Sequence, residues 1–367
     1  MARAAASPAV EIDPLHPRLT GQHGFDLKGH HDLVAKITEP GKTRRHHGFI
    51  LTGAKGVGKA TSAYMIAEQL FSAPVAGLFG DAPQASNPDD PDVKLVRAGS
   101  HPDLMVVEAD ESKATAAISV DQIRSVIPFL SHTPSRGGWR VVIIDALDEM
   151  NDNGANALLK TLEEPPEKAI ILLLHHGTRP ILPTIRSRAQ MINFAPLNYD
   201  DTRQVISRRF IEADPSWVDV AAVLSDGAPG KAALLATSGV VDLYAETCQA
   251  FSKGNLSALE LDQLSSQWGA GGAKNAARRQ LARLMLDRLL TRAARYAVSG
   301  SSEAIAASAQ PMPRMDIEED AISTLAKRHS ANHLAELHAN ILTDLNYAER
   351  VNLDMAHVIY QAFEKLR

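Results

Sequence analysis

Short apolar, β-prone runs recur through the first half of the chain at Phe49–Leu51, Leu104–Val107, Val141–Ile144, Ile170–Leu174 and Met191–Phe194. Their apolar positions are consecutive, as in strands covered on both faces. Helical patterns fill the gaps: Ala60–Phe71, Val120–Leu130 behind a Ser119 cap, and Asn153–Leu162, which Pro165 and Pro166 stop because proline cannot continue a helix. Strands alternating with helices predict a parallel α/β sheet clothed on both sides.

From about Tyr199 the strand signal ends. Helical stretches at Asp201–Ile211, Trp217–Leu224 and Lys231–Thr237, punctuated by Gly227, Pro229 and Gly230, predict a small helical domain. Beyond Val240 the pattern stays helical. Leu281, Leu284, Met285, Leu289 and Ala293 mark one apolar face, and Val351, Met355, Val358 and Phe363 mark another. The expected domains are 1–197, 198–242 and 243–367. Ser299–Pro313, rich in Ser, Ala and Pro, reads as a mobile connection and Pro83–Pro91 as a surface loop. No repeat of 20 to 50 residues is visible.

Charge and cysteine content narrow the function classes. The formal net charge of −5 over 367 residues excludes whole-chain attraction to phosphate, so any nucleic-acid contact must be local. One cysteine, Cys248, cannot form an intramolecular disulfide and fits a reducing compartment. The opening MARAAASPAV lacks the apolar core of a signal peptide, and the most apolar stretch, Ala169–Leu174, is far shorter than the ~20 residues that span a bilayer. A cytoplasmic protein without membrane contact is expected.

The run Phe49-Ile50-Leu51 leads into Gly53-Ala54-Lys55-Gly56-Val57-Gly58-Lys59 and then a helix. In that context backbone N–H groups wrap phosphates and the lysine neutralises them, which nominates Gly53, Gly56, Gly58 and Lys59 for nucleotide binding. The next position should carry a hydroxyl for Mg²⁺, yet it is Ala60. Thr61 follows, but one residue is ~100° around a helix, so its hydroxyl turns away. Asp145 ends the strand Val141–Ile144, where an acidic residue supports Mg²⁺. A hydrolysing enzyme would place Glu after it to polarise the attacking water, and here Ala146 stands there. Asp148 and Glu149 are the nearest substitutes for that base. Losses in two elements point to a retired ATPase with ATP or ADP at a degraded site.

VVIIDALDEMNDNGANALLKTLEEPP, Val141 to Pro166, resembles the corresponding region of bacterial clamp-loader subunits of the AAA+ class. His101-Pro102-Asp103-Leu104, Val120-Asp121-Gln122-Ile123-Arg124 and Gly137-Gly138-Trp139-Arg140 strengthen the likeness, which covers roughly residues 16–196 well, the second domain moderately and the third only as helical. The resemblance implies an AAA+ P-loop domain with a five-stranded parallel sheet, a helical lid and an all-α collar that oligomerises. Within the family, gamma and tau keep the hydroxyl and the Glu, whereas delta-prime subunits lose them, so Ala60 and Ala146 favour the delta-prime branch. Four zinc-binding cysteines common in the family are missing between Phe71 and His101, so no zinc is expected. The adjacent pairs His30-His31, His46-His47 and His175-His176 do not suit one ion.

Ser187-Arg188-Ala189 matches the family's Ser-Arg-Cys motif, and the resemblance implies that Arg188 is an arginine finger offered in trans, the alternative being that it pairs with a surface carboxylate. Where active members sense nucleotide with a second-domain arginine, this chain has Gly230, with Lys231 next. Glu163 and Glu164 read as a solvated helix end, and Arg278, Arg279, Arg283, Arg288, Arg292 and Arg295 as a solvated or subunit-facing helix surface opposed only by Asp287. The implied partners are gamma/tau and delta subunits, with a sliding clamp and primer-template DNA reached through the assembled complex. The chain would then be a component of DNA polymerase III holoenzyme without catalysis of its own. Two alternatives stay open: an active gamma/tau-type ATPase, and a P-loop nucleotide sensor unconnected with replication.

Overall fold

The computed structural model describes residues 27–38, 46–72, 86–109, 117–136, 138–271, 276–300, 316–351 and 353–367. The expected connection at 299–313 lies outside them apart from its first two residues, as do residues 83–85 of the loop expected at 83–91. The chain forms two compact units, one running to Leu197 and including Ala228–Gly230, the other comprising Asn198–Gly227 and Lys231–Arg367.

In the first unit the elements are α1 (His31–Thr38), β1 (Gly48–Thr52), α2 (Lys59–Phe71), α3 (Pro91–Arg97), β2 (Leu104–Glu108), α4 (Val120–Ser131), β3 (Arg140–Asp145), α5 (Asp152–Glu163), β4 (Ala169–His175), α6 (Pro183–Arg186) and β5 (Gln190–Asn193). The five strands are parallel in the order β2-β3-β4-β1-β5. Pleating sends successive side chains to opposite faces. Phe49, Leu51, Val141, Ile143, Leu172 and Leu174 therefore pack on one side with α1 and α2, while Ile50, Val142, Ile144, Ile171 and Leu173 pack on the other with α4 and α5. All seven residues of β4 are buried, which is why it reads as one continuous apolar run.

The helix signals have local causes. Ser119 caps α4 through a capping box with Gln122, and α5 ends at Glu163, just ahead of Pro165 and Pro166. Helix α3 escaped the periodicity reading because it is short, although Asp90, accepting from Asp92 N, and Pro91 at its first position form an ordinary helix start. The His-Pro-Asp stretch does structural work: Asp103 accepts from Ser135 N at 2.9 Å and Arg136 N at 3.3 Å and lies 3.4 Å from Arg140, fixing the approach to β3.

The second unit is helical: α7 (Tyr199–Arg209), α8 (Pro215–Leu224), α9 (Lys231–Ser238), α10 (Val240–Lys253), α11 (Ala258–Gly269), α12 (Ala276–Ser299), α13 (Asp316–Arg328), α14 (Ala331–Val351) and α15 (Met355–Leu366). Residue 242, the expected end of the small domain, falls inside α10. Leu281, Met285, Leu289 and Ala293 are buried along α12 as the pattern required. The second apolar face does not exist as read. Asp354 caps a new helix by accepting from Ala356 N, so Val351 and Met355 sit on different helices and Val351 is 47% exposed. The buried face of α15 is Met355, Ile359, Ala362, Phe363 and Leu366.

The arginines of α12 are also not a plain solvated stripe. Arg278 donates to Ser238 O, Arg279 to Ala270 O and Arg283 to Asn346 Oδ1, while Arg288 and Arg292 converge on buried Glu318 from α13. The opposing charge comes from another helix, so reading α12 alone missed it. No helix among the described residues is long and apolar enough to cross a membrane.

Candidate functional site

Parallel sheets expose their strand C-termini to the loops that carry chemistry, and β3, β4 and β1 are neighbours here. The register sets Thr52 opposite His175 and Asp145 opposite Leu174. The loop 53–59, Asp145 and His175 therefore share one edge of the sheet.

Gly53 leaves β1 at φ 151, and a Cβ on it would lie 2.5 Å from Phe194 O, so only glycine fits. Gly56 and Gly58 also take positive φ as the loop turns into α2, whose N-terminus has no side-chain cap. Lys59 folds back over the loop, and its Nζ donates to Gly53 O at 2.6 Å and Ala54 O at 2.8 Å. Burial pulls its amine down to about 8, while Asp145 and Asp148 pull the other way, so at neutral pH it keeps its charge. An ammonium has three donors, and two are committed to the loop. Ala60 and half-buried Thr61 follow on the first turn of α2. The loop, the helix N-terminus and the third lysine donor suit a phosphate group, whereas no hydroxyl stands at position 60 to ligate Mg²⁺.

Segment 228–230 belongs to this loop environment. Gly230 N donates to Gly56 O at 2.9 Å, and a Cβ at 230 would lie 2.5 Å from Gly56 Cα. No side chain can stand at 230 while the backbone lies so close. Lys231, next in sequence, has its amine pushed down by burial, with Asp226 opposing.

Asp148 does not stand in for the missing glutamate. Its carboxylate accepts from His176 N at 2.6 Å, Thr178 N at 2.8 Å, Thr178 Oγ1 at 2.9 Å and Arg179 N at 3.2 Å, with His175 Nε2 at 3.4 Å. These bonds shape the turn after β4 and engage both carboxylate oxygens. Burial pushes the acid up, but the hydrogen bonds from His176 and Thr178 outweigh it and hold the carboxyl below its ordinary range. A lowered acid stabilises the fold above its unfolded value of ~3.9, and that contribution fades as pH falls through the folded value. Asp148→Asn is expected to cost the first unit about 2–3 kcal/mol at pH 7. In urea titrations the gap to wild type should shrink below pH 4, and a pH-independent gap would refute this account.

His176 Nε2 lies 3.4 Å from Asp145 Oδ1, facing the carboxylate expected to support a metal. The histidine pairs have partners of other kinds: His30 packs on the Phe194 ring, His47 Nδ1 is 3.1 Å from Ala169 O, and His175 bridges Thr52 and Arg179 O. Among the described residues no group of three His, Cys, Asp or Glu could hold a metal ion.

Arg188 is not part of this edge. Its carbonyl lies 3.6 Å from where a Gly48 Cβ would sit, and Gly48 opens β1 while Thr52 closes it. Four steps at ~3.3 Å put its backbone roughly 13 Å from the phosphate-loop end of the strand. Its Nε donates to Glu163 Oε1 at 2.8 Å, Nη2 lies 2.5 Å from the same oxygen, and Nη1 donates to Thr184 O at 2.9 Å and Ser187 Oγ at 3.1 Å. Glu163 is thus an ion-pair partner, not merely a solvated helix end. Sequence reasoning missed this because the two lie 25 positions apart and meet only through the packing of α5 and α6.

A family model described as "DNA polymerase III, delta subunit" matches residues 31–198. DNA polymerase III subunit delta′ of Pseudomonas aeruginosa is 30% identical over 232 residues, covering 63% of this chain and 68% of that protein. The delta′ subunit of Bacillus subtilis is 33% identical over 175 residues, 48% of this chain and 49% of its own length. DNA polymerase III subunit tau of Escherichia coli is 25% identical over 206 residues, 54% of this chain and 30% of its own.

Proposed function

The chain belongs to the delta-prime family of DNA polymerase III subunits, and from that premise we propose that it is an assembly subunit of the clamp loader whose Arg188 serves a neighbour's ATP. The observation that carries this reading is the place of Arg188 at the edge of the sheet opposite its own phosphate loop. A partly exposed guanidinium there is badly placed for its own loop and available to another chain. Against a transferring phosphoryl group its planar fork would offset the charge that builds up in the transition state.

The chain's own loop has a different part. Gly53, Gly56, Gly58 and Lys59 would hold the phosphates of ATP or ADP, with Asp145 beside them, and bound nucleotide would supply binding energy and not turnover. The missing hydroxyl at 60, Ala146 after Asp145 and the committed carboxylate of Asp148 all support that division. Helices 243–367 would form the collar that joins gamma/tau and delta subunits, with 198–242 as a lid. The assembled loader would open a sliding clamp and close it on primer-template DNA in the cytoplasm.

Steady-state hydrolysis by the purified full chain is expected to show no turnover that Lys59→Ala removes, and mixing with gamma/tau and delta from the same organism should give a stable complex by gel filtration. Turnover abolished by Lys59→Ala would establish an active ATPase instead. No complex with either subunit would leave a nucleotide-binding protein outside the loader.

A further inference from the structure

We infer that Glu163 is a positioning residue for Arg188, one that holds the guanidinium in a fixed orientation before the neighbouring subunit arrives; this rests on the finger reading above. Each of the three guanidinium nitrogens faces an acceptor of its own chain: Nε and Nη2 face Glu163 Oε1, and Nη1 faces Thr184 O and Ser187 Oγ. The side chain is nevertheless 33% exposed, so it is oriented without being hidden.

The anchor for that orientation is α5. Leu158 and Leu162 are buried in the core, and Glu163 follows directly as the last helical residue. A carboxylate at a helix C-terminus opposes the negative end of the helix dipole, so nothing in α5 itself favours Glu there. Pairing with Arg188 compensates that misplaced charge. Without Glu163 only Nη1 would stay tethered, and the long side chain would regain rotamers that it must lose again on meeting phosphate.

In the reconstituted loader Glu163→Ala is expected to lower kcat for ATP hydrolysis at the adjoining site about three- to tenfold, with KM and assembly unchanged. Glu163→Gln keeps an acceptor oxygen in place and should retain most of the rate. In the Arg188→Ala background Glu163→Ala should cause no further loss, because a positioning residue acts only through the group it positions. An unchanged kcat for Glu163→Ala, beside an impaired Arg188→Ala, would overturn the positioning role alone. A rate above wild type would overturn it too, by showing that the carboxylate competes with phosphate. If Arg188→Ala itself left hydrolysis unchanged, the finger reading would fall first.

Discussion

Arg188→Ala in a reconstituted loader is expected to lower ATP hydrolysis at the adjoining subunit about 10³-fold or more, while the complex still assembles. The size follows from where the charge acts. In a water-poor pocket between subunits a fixed guanidinium offsets charge on the transferring group at little reorganisation cost. Arg188→Lys should recover little, since a point charge on a flexible stem cannot keep the contacts made to Glu163, Thr184 and Ser187. Single-turnover hydrolysis, with assembly followed by light scattering, separates loss of chemistry from loss of complex. Near wild-type hydrolysis in an intact complex would remove Arg188 from the reaction.

The second large effect lies in the helical unit. Glu318 is fully buried, and Arg288 grips it with Nε at 2.7 Å and Nη2 at 2.9 Å while Tyr244 Oη donates at 2.6 Å and Arg292 approaches at 3.7 Å. Burial pushes the Glu318 acid up, but Arg288, with Arg292 and Tyr244, overcomes it and keeps the carboxyl low. Burial pushes the Tyr244 hydroxyl up, and it pushes the nearby Cys248 thiol up to about 12, so both stay neutral. One carboxylate thereby ties α10 and α12 to α13. Glu318→Ala strands a buried guanidinium without a counter-charge and is expected to cost about 3–5 kcal/mol, whereas Glu318→Gln, which keeps hydrogen-bond acceptors, should cost less. Hydrogen exchange of α10, α12 and α13 would report the loss locally, and a change below 1 kcal/mol would show the cluster to be incidental.

The five strands, the phosphate loop and the helices α2, α4 and α5 were legible in the sequence because each is specified locally. Consecutive apolar residues, glycine spacing, a Ser119 cap and a Pro165-Pro166 stop act over a few positions. Ala60 and Ala146 were equally legible as absences at positions the loop and strand define. The second apolar face was misread because Val351 and Met355 keep helical spacing across a break that only the Asp354 cap reveals.

What the sequence determined by itself is a parallel α/β unit with a phosphate loop lacking two functional groups, followed by helices. Tertiary structure alone decided which side chains meet: Asp148 engaged by the turn after β4, Gly230 pressed against Gly56, Glu163 bonded to Arg188, and, in the helical unit, Glu318 gathering the arginines of α12. The reason is one of range. Backbone conformation follows from neighbours a few residues apart, but a charge takes whatever partner packing brings within about 4 Å, and no spacing along the chain encodes that partner.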